Sequence, residues 1–194
     1  MDQLIYELRK SAKDSGNPVL RDRSFELLIS AVKKYSPEKI LEIGVNTGLS
    51  GIAMLLNSSA KLTGIEIDDA AVSTAKSNYL RFGVSDRVKI FQGDASEIIP
   101  VLTGEYDFIF LDGPKGHYYE YLPHLLSVLK KGGVLFADNV LFRGYVFSEK
   151  KTPHRYQTTR ASMENFLNAV KSDPTLTTEI YDIEDGVSIT VKNA

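Results

Sequence analysis

The fold class follows from the segment KILEIGVNTGLSG at residues 39–51. Its first residues form a short, mainly apolar run that predicts a buried strand, and glycines follow at positions 44, 48 and 51. In a doubly wound α/β sheet, the turn after the first strand is where a nucleotide-like ligand binds. The spacing G-x-x-x-G-x-x-G differs from the G-x-G-x-x-G of dinucleotide-binding proteins, and no Lys-Ser or Lys-Thr pair follows, which excludes a P-loop.

Two carboxylates accompany this glycine loop. Glu66 lies 22 residues after Gly44, at the end of the next apolar run, where a carboxylate can accept both hydroxyls of a ribose. Glu42 lies inside the first predicted strand, and a carboxylate buried there costs several kcal/mol unless it has a partner. A cationic ligand, such as a sulfonium that also carries an amino group, would supply that partner. The alternative is a tight turn beside a solvated acid.

The rest of the chain continues the alternation of strands and helices. Short apolar runs predict strands at 39–44, 61–67, 87–91, 106–111 and 133–137. Helical patterns occupy 49–57, 69–82 and 118–129, with a brief helix or turn at 95–102. Strands that are apolar on both faces and alternate with helices predict a parallel sheet covered by helices. Right-handed crossovers make this sheet a doubly wound, Rossmann-like α/β fold.

The two ends depart from this alternation. Two helices are predicted within residues 1–36. The first contains Leu4, Ile5, Leu8 and Ala12 at helical spacing and ends at Gly16 to Pro18, and the second covers 23–35. A helix at 155–171 is followed by strands at 177–181 and 187–191, and the Asp185-Gly186 pair between them predicts an antiparallel hairpin. The expectation is one domain over 1–194, with N-terminal helices at 1–36 and a binding and catalytic core at 37–194.

Composition narrows the function class. The 194 residues include 23 Lys and Arg against 25 Asp and Glu, so the net charge of −2 excludes a uniformly basic nucleic-acid-binding protein but not a local basic patch. The absence of cysteine excludes disulfides, thiolate zinc sites and cysteine nucleophiles. No apolar run approaches about 20 residues and the N-terminus is charged, so we expect no membrane span, no signal peptide and a cytoplasmic location.

Oxygen-bearing side chains follow two further strands. Asp112 ends the predicted fourth strand, and Asp138 with Asn139 ends the fifth. The carboxyl ends of neighbouring parallel strands meet in one crevice, so these side chains should lie together. Two carboxylates and an amide suit a hard cation such as Mg²⁺, Ca²⁺ or Mn²⁺. The three histidines show no zinc-ligand spacing and are interpreted as surface or packing residues. The alternative for the acids is that they only cap turns.

Several motifs together resemble those of a known enzyme family. The segments ILEIGVNTGLSG, GIEID (64–68) and QGDA (92–95) are similar to the cofactor motifs of class I S-adenosylmethionine-dependent methyltransferases. LDGPKGHYYEYL and ADNVLFRG are similar to the metal-dependent O-methyltransferases that include catechol and caffeoyl-CoA O-methyltransferases. The closing antiparallel strand pair also matches that fold, which has a mostly parallel seven-stranded sheet.

The resemblance implies roles for individual residues. Asp112, Asp138 and Asn139 would bind the metal, and Lys115 would be the general base. A neighbouring dication would favour the neutral amine of Lys115, which could take the proton of a hydroxyl whose acidity the metal raises. Gly113-Pro114 departs from the residues that many members carry between Asp112 and Lys115. S-adenosylmethionine contacts are implied for Leu20, Glu42, Gly44, Ser50, Glu66, Asp94, Ala95 and Asp112.

The substrate stays open between two classes. Segment 143–160 carries Arg143, Lys150, Lys151, Arg155 and Arg160 against the single acid Glu149. With DNVLFRG, this resembles the bacterial branch that methylates 5-hydroxyuridine in the tRNA anticodon, and Arg143, Arg155 and Arg160 would then contact phosphates. A small catechol-like aromatic hydroxyl beneath a solvated lid is the alternative. The resemblance also implies a homodimer. The rival classes are an NAD-dependent oxidoreductase and a non-catalytic S-adenosylmethionine-binding module.

Overall fold

The computed structural model describes residues 3–14 and 19–194, which form one seven-stranded sheet with helices on both faces. The strand order is β3-β2-β1-β4-β5-β7-β6; β1 to β5 run parallel, and β7 lies antiparallel between β5 and β6. The strands are β1 Lys39–Ile43, β2 Lys61–Glu66, β3 Val88–Gln92, β4 Tyr106–Leu111, β5 Leu129–Asp138, β6 Leu176–Tyr181 and β7 Val187–Lys192.

The helices divide between the two faces of the sheet. Helices α1 to α4 cover one face, and α6 and α7 cover the other, so that each face buries its own apolar cluster. The helices are α1 Gln3–Asp14, α2 Asp22–Tyr35, α3 Leu49–Leu56, α4 Asp69–Arg81, α5 Ala95–Ile98, α6 Tyr118–Val128 and α7 Gln157–Ser172. Among these residues, no helix is both long enough and apolar enough to cross a membrane.

The predicted fold class is confirmed, and two elements start two or more residues away from their predicted starts. Strand β5 begins at Leu129 rather than at residue 133, with a shift in its register against β4 and with Gly132 at φ +78°. The last helix starts at Gln157, after a short 3₁₀ turn at 154–156. The hairpin is present, with Gly186 at φ +82°. The predicted end of the first helix, at Gly16 to Pro18, lies outside the described residues.

The topology fixes where a ligand can bind. The strand order reverses between β1 and β4, whose registers pair Ile43 with Leu111. Leu111 in turn pairs with Ala137 of β5. The residues that follow these strands therefore emerge side by side at the carboxyl edge of the sheet, which is the usual ligand site of a doubly wound fold.

Candidate active site

A cleft of about 750 Å³ opens over the carboxyl ends of β1, β2, β4 and β5, and we call it the active-site cleft. It brings together segments that are far apart in the sequence, from α1 to the loop after β5. Of the residues predicted for the site, eight line it: Leu20, Gly44, Ser50, Glu66, Asp112, Lys115, Asp138 and Asn139.

The glycine loop shapes the floor of this cleft. Gly44 adopts φ +90°, and a Cβ atom there would lie 2.6 Å from the backbone oxygen of Asp112, so only glycine fits. The Gly44 N–H donates to the Ile65 carbonyl at 3.0 Å, and the Asp112 N–H donates to Ile43 at 3.0 Å. Gly48, at φ +82°, begins α3. The loop is thus held against the ends of both neighbouring strands, with its backbone open to a ligand.

Glu66 is fixed on the wall of the cleft by the backbone. Its carboxylate accepts hydrogen bonds from the N–H groups of Asn46 at 2.8 Å, Ile67 at 2.9 Å and Asp68 at 3.0 Å. A carboxylate offers about four acceptor positions, so these bonds orient the group without using all of its capacity. Glu66 can therefore both brace the glycine loop and accept hydroxyl hydrogen bonds from a ligand.

Glu42 lies behind the wall of the cleft rather than on it. It is fully buried and accepts a hydrogen bond from the Ser50 hydroxyl, which does line the cleft. Its second oxygen, Oε2, and the hydroxyl of Tyr79 have no hydrogen-bond partner within the described part of the chain. Burial raises the pKa of Glu42 to about 8, opposed by the Ser50 hydrogen bond. Glu42 thus reaches the cleft through Ser50.

Asp94 and Ala95 line an adjoining cleft of about 160 Å³ that shares Gly44 and Glu66 with the active-site cleft. The Asp94 carboxylate caps α5 by accepting from the Ser96 N–H and hydroxyl, both at 2.8 Å, and these bonds lower its pKa. Two aromatic rings that sequence reasoning did not assign to the site also line this cleft. They are His117 and Tyr121, which stack with centroids 5.7 Å apart.

The predicted oxygen-ligand trio comes together at the ends of β4 and β5. Asp138 is 3% exposed, and its Oδ1 atom has no partner within the described residues. Burial, and next the charge of Asp112, raise the pKa of Asp138 to about 7. The Tyr118 hydroxyl donates to the carbonyls of Leu111 at 2.9 Å and Asp138 at 3.2 Å, which joins the two strand ends. From the sequence alone, Tyr118 is only the first residue of the helix predicted at 118–129.

Lys115 forms an ion pair with Asp112, with 2.5 Å between Nζ and Oδ1. Both side chains are partly exposed, and both line the active-site cleft. The unusual Gly113-Pro114 pair does not disturb this contact. Gly113 sits against Ile43, where a Cβ atom would be 3.1 Å from the Ile43 Cγ2 atom, and Lys115 begins a 3₁₀ turn after Pro114.

The donor set fits a hard divalent cation. Asp138 presents a buried, unpartnered carboxylate oxygen next to a second carboxylate, Asp112, and the amide of Asn139 follows directly at φ +60°. Within residues 3–14 and 19–194, no group of three or more His, Cys, Asp and Glu residues is placed to hold a metal ion. A site here would depend on two carboxylates, one amide and oxygens from water or substrate.

The basic segment 143–160 divides into two kinds of arginine. Arg143 and Arg155 both lie over the ring of Tyr156, at 5.1 and 4.7 Å from its centroid. Arg160 instead donates to Glu164 at 2.8 Å, Thr152 at 2.9 Å and the Ser148 carbonyl at 3.1 Å. These bonds hold the segment together and argue against the predicted role of Arg160 as a phosphate contact.

Arg9 is a cleft residue that sequence reasoning missed. It is 4% exposed, donates to the Leu20 carbonyl at 2.9 Å and to Asp22 at 2.7 Å, and stacks 3.8 Å from the centroid of Phe25. A signal did exist, because Arg9 follows Ile5 by four residues on the face of α1 that is buried.

Comparison with known proteins identifies the family of the chain. The family model described as O-methyltransferase matches residues 3–193. The chain is 34% identical to a catechol O-methyltransferase of Niastella koreensis over 82% of this chain and 76% of that protein. It is 29% identical to a caffeoyl-CoA O-methyltransferase of Populus kitakamiensis over 89% of this chain and 76% of that protein.

A solved structure shares the fold. The O-methyltransferase TomG of Streptomyces achromogenes, in complex with SAM, superposes with a TM-score of 0.87 at 21% identity, over all of this chain and 91% of that one. The chain therefore belongs to the O-methyltransferase family, which confirms the predicted enzyme class, the S-adenosylmethionine-dependent O-methyltransferases. The chain is therefore not assigned to the alternative class, the NAD-dependent oxidoreductases.

Proposed function

We propose that this enzyme transfers the methyl group of S-adenosylmethionine to one hydroxyl of a catechol-type aromatic diol that a divalent cation holds at Asp112, Asp138 and Asn139. The observation that carries the proposal is the buried, unpartnered Oδ1 of Asp138. It lies beside Asp112, whose carboxylate also forms the ion pair with Lys115. A carboxylate buried in this way needs a positive partner, and a chelating diol needs a cation with open positions.

The cofactor would occupy the active-site cleft and the adjoining cleft. Gly44 and Ser50 border the part of the cleft above the glycine loop, which suits the amino-acid portion of the cofactor. Glu66 would accept the ribose hydroxyls with the acceptor capacity that its backbone bonds leave. The stacked rings of His117 and Tyr121, beside Asp94 and Ala95, form a flat cleft that suits a purine.

Lys115 would move the proton. A cation at the trio lowers the pKa of a bound hydroxyl and orients its oxygen. With a cation also on Asp112, Lys115 would lose part of its ion pair, release its proton to solvent and, as the neutral amine, take up the proton of the hydroxyl. The Tyr118 hydrogen bonds keep the ends of β4 and β5 together, so that the Asp112 and Asp138 carboxylates stay beside Lys115.

The test is methylation of a catechol-type diol by the purified protein with Mg²⁺, and with EDTA in place of the metal. Asp138→Asn should abolish the EDTA-sensitive turnover and leave binding of S-adenosylhomocysteine, measured by calorimetry, within about twofold of the wild type. Asp182→Asn is the matched control, since Asp182 is exposed and lines neither cleft. Full turnover by Asp138→Asn would remove the trio as the metal site. Wild-type turnover that persists in EDTA would refute the proposed metal requirement.

A second candidate substrate is 5-hydroxyuridine in tRNA. It is favoured by the exposed side chains of Arg143 and Arg155, whose guanidinium groups lie near the Tyr156 ring, because such groups can contact the phosphates of an RNA. Mass spectrometry of tRNA nucleosides from a strain that lacks the gene decides between the two. Loss of a methoxyuridine would support tRNA, and an unchanged profile would leave the small diol as the substrate.

A further inference from the structure

A second large cavity adjoins the active-site cleft, and we call it the distal cavity. Its volume is about 860 Å³, and it shares Arg21, Lys115 and Asn139 with the active-site cleft. It therefore starts at the proposed metal and base residues and extends away from the glycine loop, where the part of a substrate beyond its reacting ring would lie. The other residues that line it are Phe142, Arg143, Gly144, Glu184 and Asp185.

The carboxylates of the distal cavity are already committed to backbone donors. Glu184 accepts from the N–H groups of Arg23 and Ser24, both at 3.1 Å, at the start of α2. Asp185 accepts from the N–H of Arg143. These bonds orient the two carboxylates toward the backbone and join the hairpin turn to the loop after β5 and to α2.

The arginines of the distal cavity have no such commitment. Within the described residues, neither Arg21 nor Arg143 forms an ion pair with a carboxylate, whereas Arg9 and Arg160 both do. The Arg143 guanidinium lies over the ring of Tyr156, 5.1 Å from its centroid. Both arginines are exposed to the cavity, which leaves two planar guanidinium groups able to bind an anion bidentately.

The backbone that presents Arg143 is held in an unfavourable conformation. Asn139, Phe142 and Arg143 have φ values of +60°, +41° and +59°, a region that residues other than glycine seldom adopt. The hairpin turn maintains this shape, because the N–H groups of Val140 and Leu141 donate to the carbonyls of Gly186 at 3.0 Å and Asp185 at 2.9 Å. The strain therefore falls on the residues that line the distal cavity.

We propose that Arg21 and Arg143 form an anion subsite in the distal cavity that binds a carboxylate or phosphate group carried by the aromatic diol, so that the enzyme prefers anionic over neutral catechol-type substrates. The proposal rests on the proposed function and deepens it. The strained loop would place Arg143 opposite Arg21, at a fixed offset from the trio. An anionic group in the subsite would then fix which of the two hydroxyls faces the methyl donor.

The experiment compares three ligands of similar shape: 3,4-dihydroxybenzoate, 3,4-dihydroxybenzylphosphonate and the neutral 3,4-dihydroxybenzyl alcohol. Binding is measured by calorimetry with S-adenosylhomocysteine and Mg²⁺ present, and turnover is measured in parallel. One or both anions should bind about tenfold more tightly than the alcohol, as for an added charged hydrogen-bond pair, and the stronger of the two identifies the anion class. Arg21→Gln and Arg143→Gln should each remove most of this preference, measured as the ratio of anion affinity to alcohol affinity in the same variant.

Arg23→Gln is the matched control, since it removes the same charge two residues from Arg21 at an exposed position that does not line the cavity. The control should keep the preference. Equal affinity for all three ligands, or an equal loss in Arg23→Gln, would overturn the anion subsite. Turnover of the alcohol without any anion preference would refute the anion subsite and support the proposed function. Anion-selective binding without turnover of any diol would sustain the subsite and remove the proposed function.

Discussion

Replacing Glu42 by glutamine should make the protein more stable, and increasingly so as the pH rises. The carboxyl group is fully buried with one oxygen unpartnered, and burial raises its pKa from 4.5 to about 8. The folded protein therefore favours the protonated form. The stabilisation from this proton is fully present below about pH 4.5 and is lost progressively as the pH rises to about 8. At about 1.4 kcal/mol per pH unit, the whole interval corresponds to roughly 5 kcal/mol.

Glutamine has nearly the same shape and cannot ionise, so it keeps the Ser50 hydrogen bond without this pH-dependent loss. The excess stability of Glu42→Gln over the wild type should grow from about 1 kcal/mol at pH 5 to about 4 kcal/mol at pH 8. Urea unfolding of both proteins at pH 5, 6, 7 and 8 measures this difference in the free energy of unfolding. The other titrating groups are the same in both proteins, so their contributions cancel. Tyr79→Phe removes the neighbouring unpartnered hydroxyl and should keep the wild-type pH dependence. A stability gap that stays constant from pH 5 to 8 would refute the reasoning.

Three further predictions concern single residues. Glu66→Ala should weaken S-adenosylmethionine binding by about 2–3 kcal/mol, because a carboxylate that binds the ribose is lost; unchanged affinity by calorimetry would remove that role. Gly44→Ala should lower the free energy of unfolding by about 2–4 kcal/mol, since its Cβ atom would meet the Asp112 carbonyl at a positive φ; wild-type stability in urea would contradict the close approach. Arg160→Ala should cost about 1–2 kcal/mol through its lost bonds to Glu164 and its neighbours, measured as a lower Tm; an unchanged Tm would return Arg160 to the candidate phosphate contacts.

The sequence predicts the parts of the site whose positions follow from strand ends. Asp112 and Asp138 each terminate an apolar run, and parallel strands place such residues at one edge, so their proximity needs no tertiary information. The hairpin could be predicted from Asp185-Gly186 for a similar reason, since Gly186 supplies the positive φ that the turn requires. These inferences use patterns that repeat over a few residues.

The features that were missed depend on contacts between distant segments. The early start of β5 reflects pairing with β4 through a register shift, which overrides the turn tendency of Gly132. The depth of Glu42 behind Ser50 likewise depends on how α3 and α4 pack on the sheet.

The two halves of the site therefore differ in how they are encoded. The cofactor half is built from local motifs, such as the glycine loop and the backbone cradle of Glu66, which span about 25 residues of the chain. The distal half is joined by the hairpin turn at 184–186, which binds the loop after β5 and the start of α2 from more than 40 residues away. A substitution in that turn changes the cavity without touching the glycine loop. The proposed substrate preference therefore has to be tested at Arg21 and Arg143, because the cofactor motifs carry no information about the distal cavity.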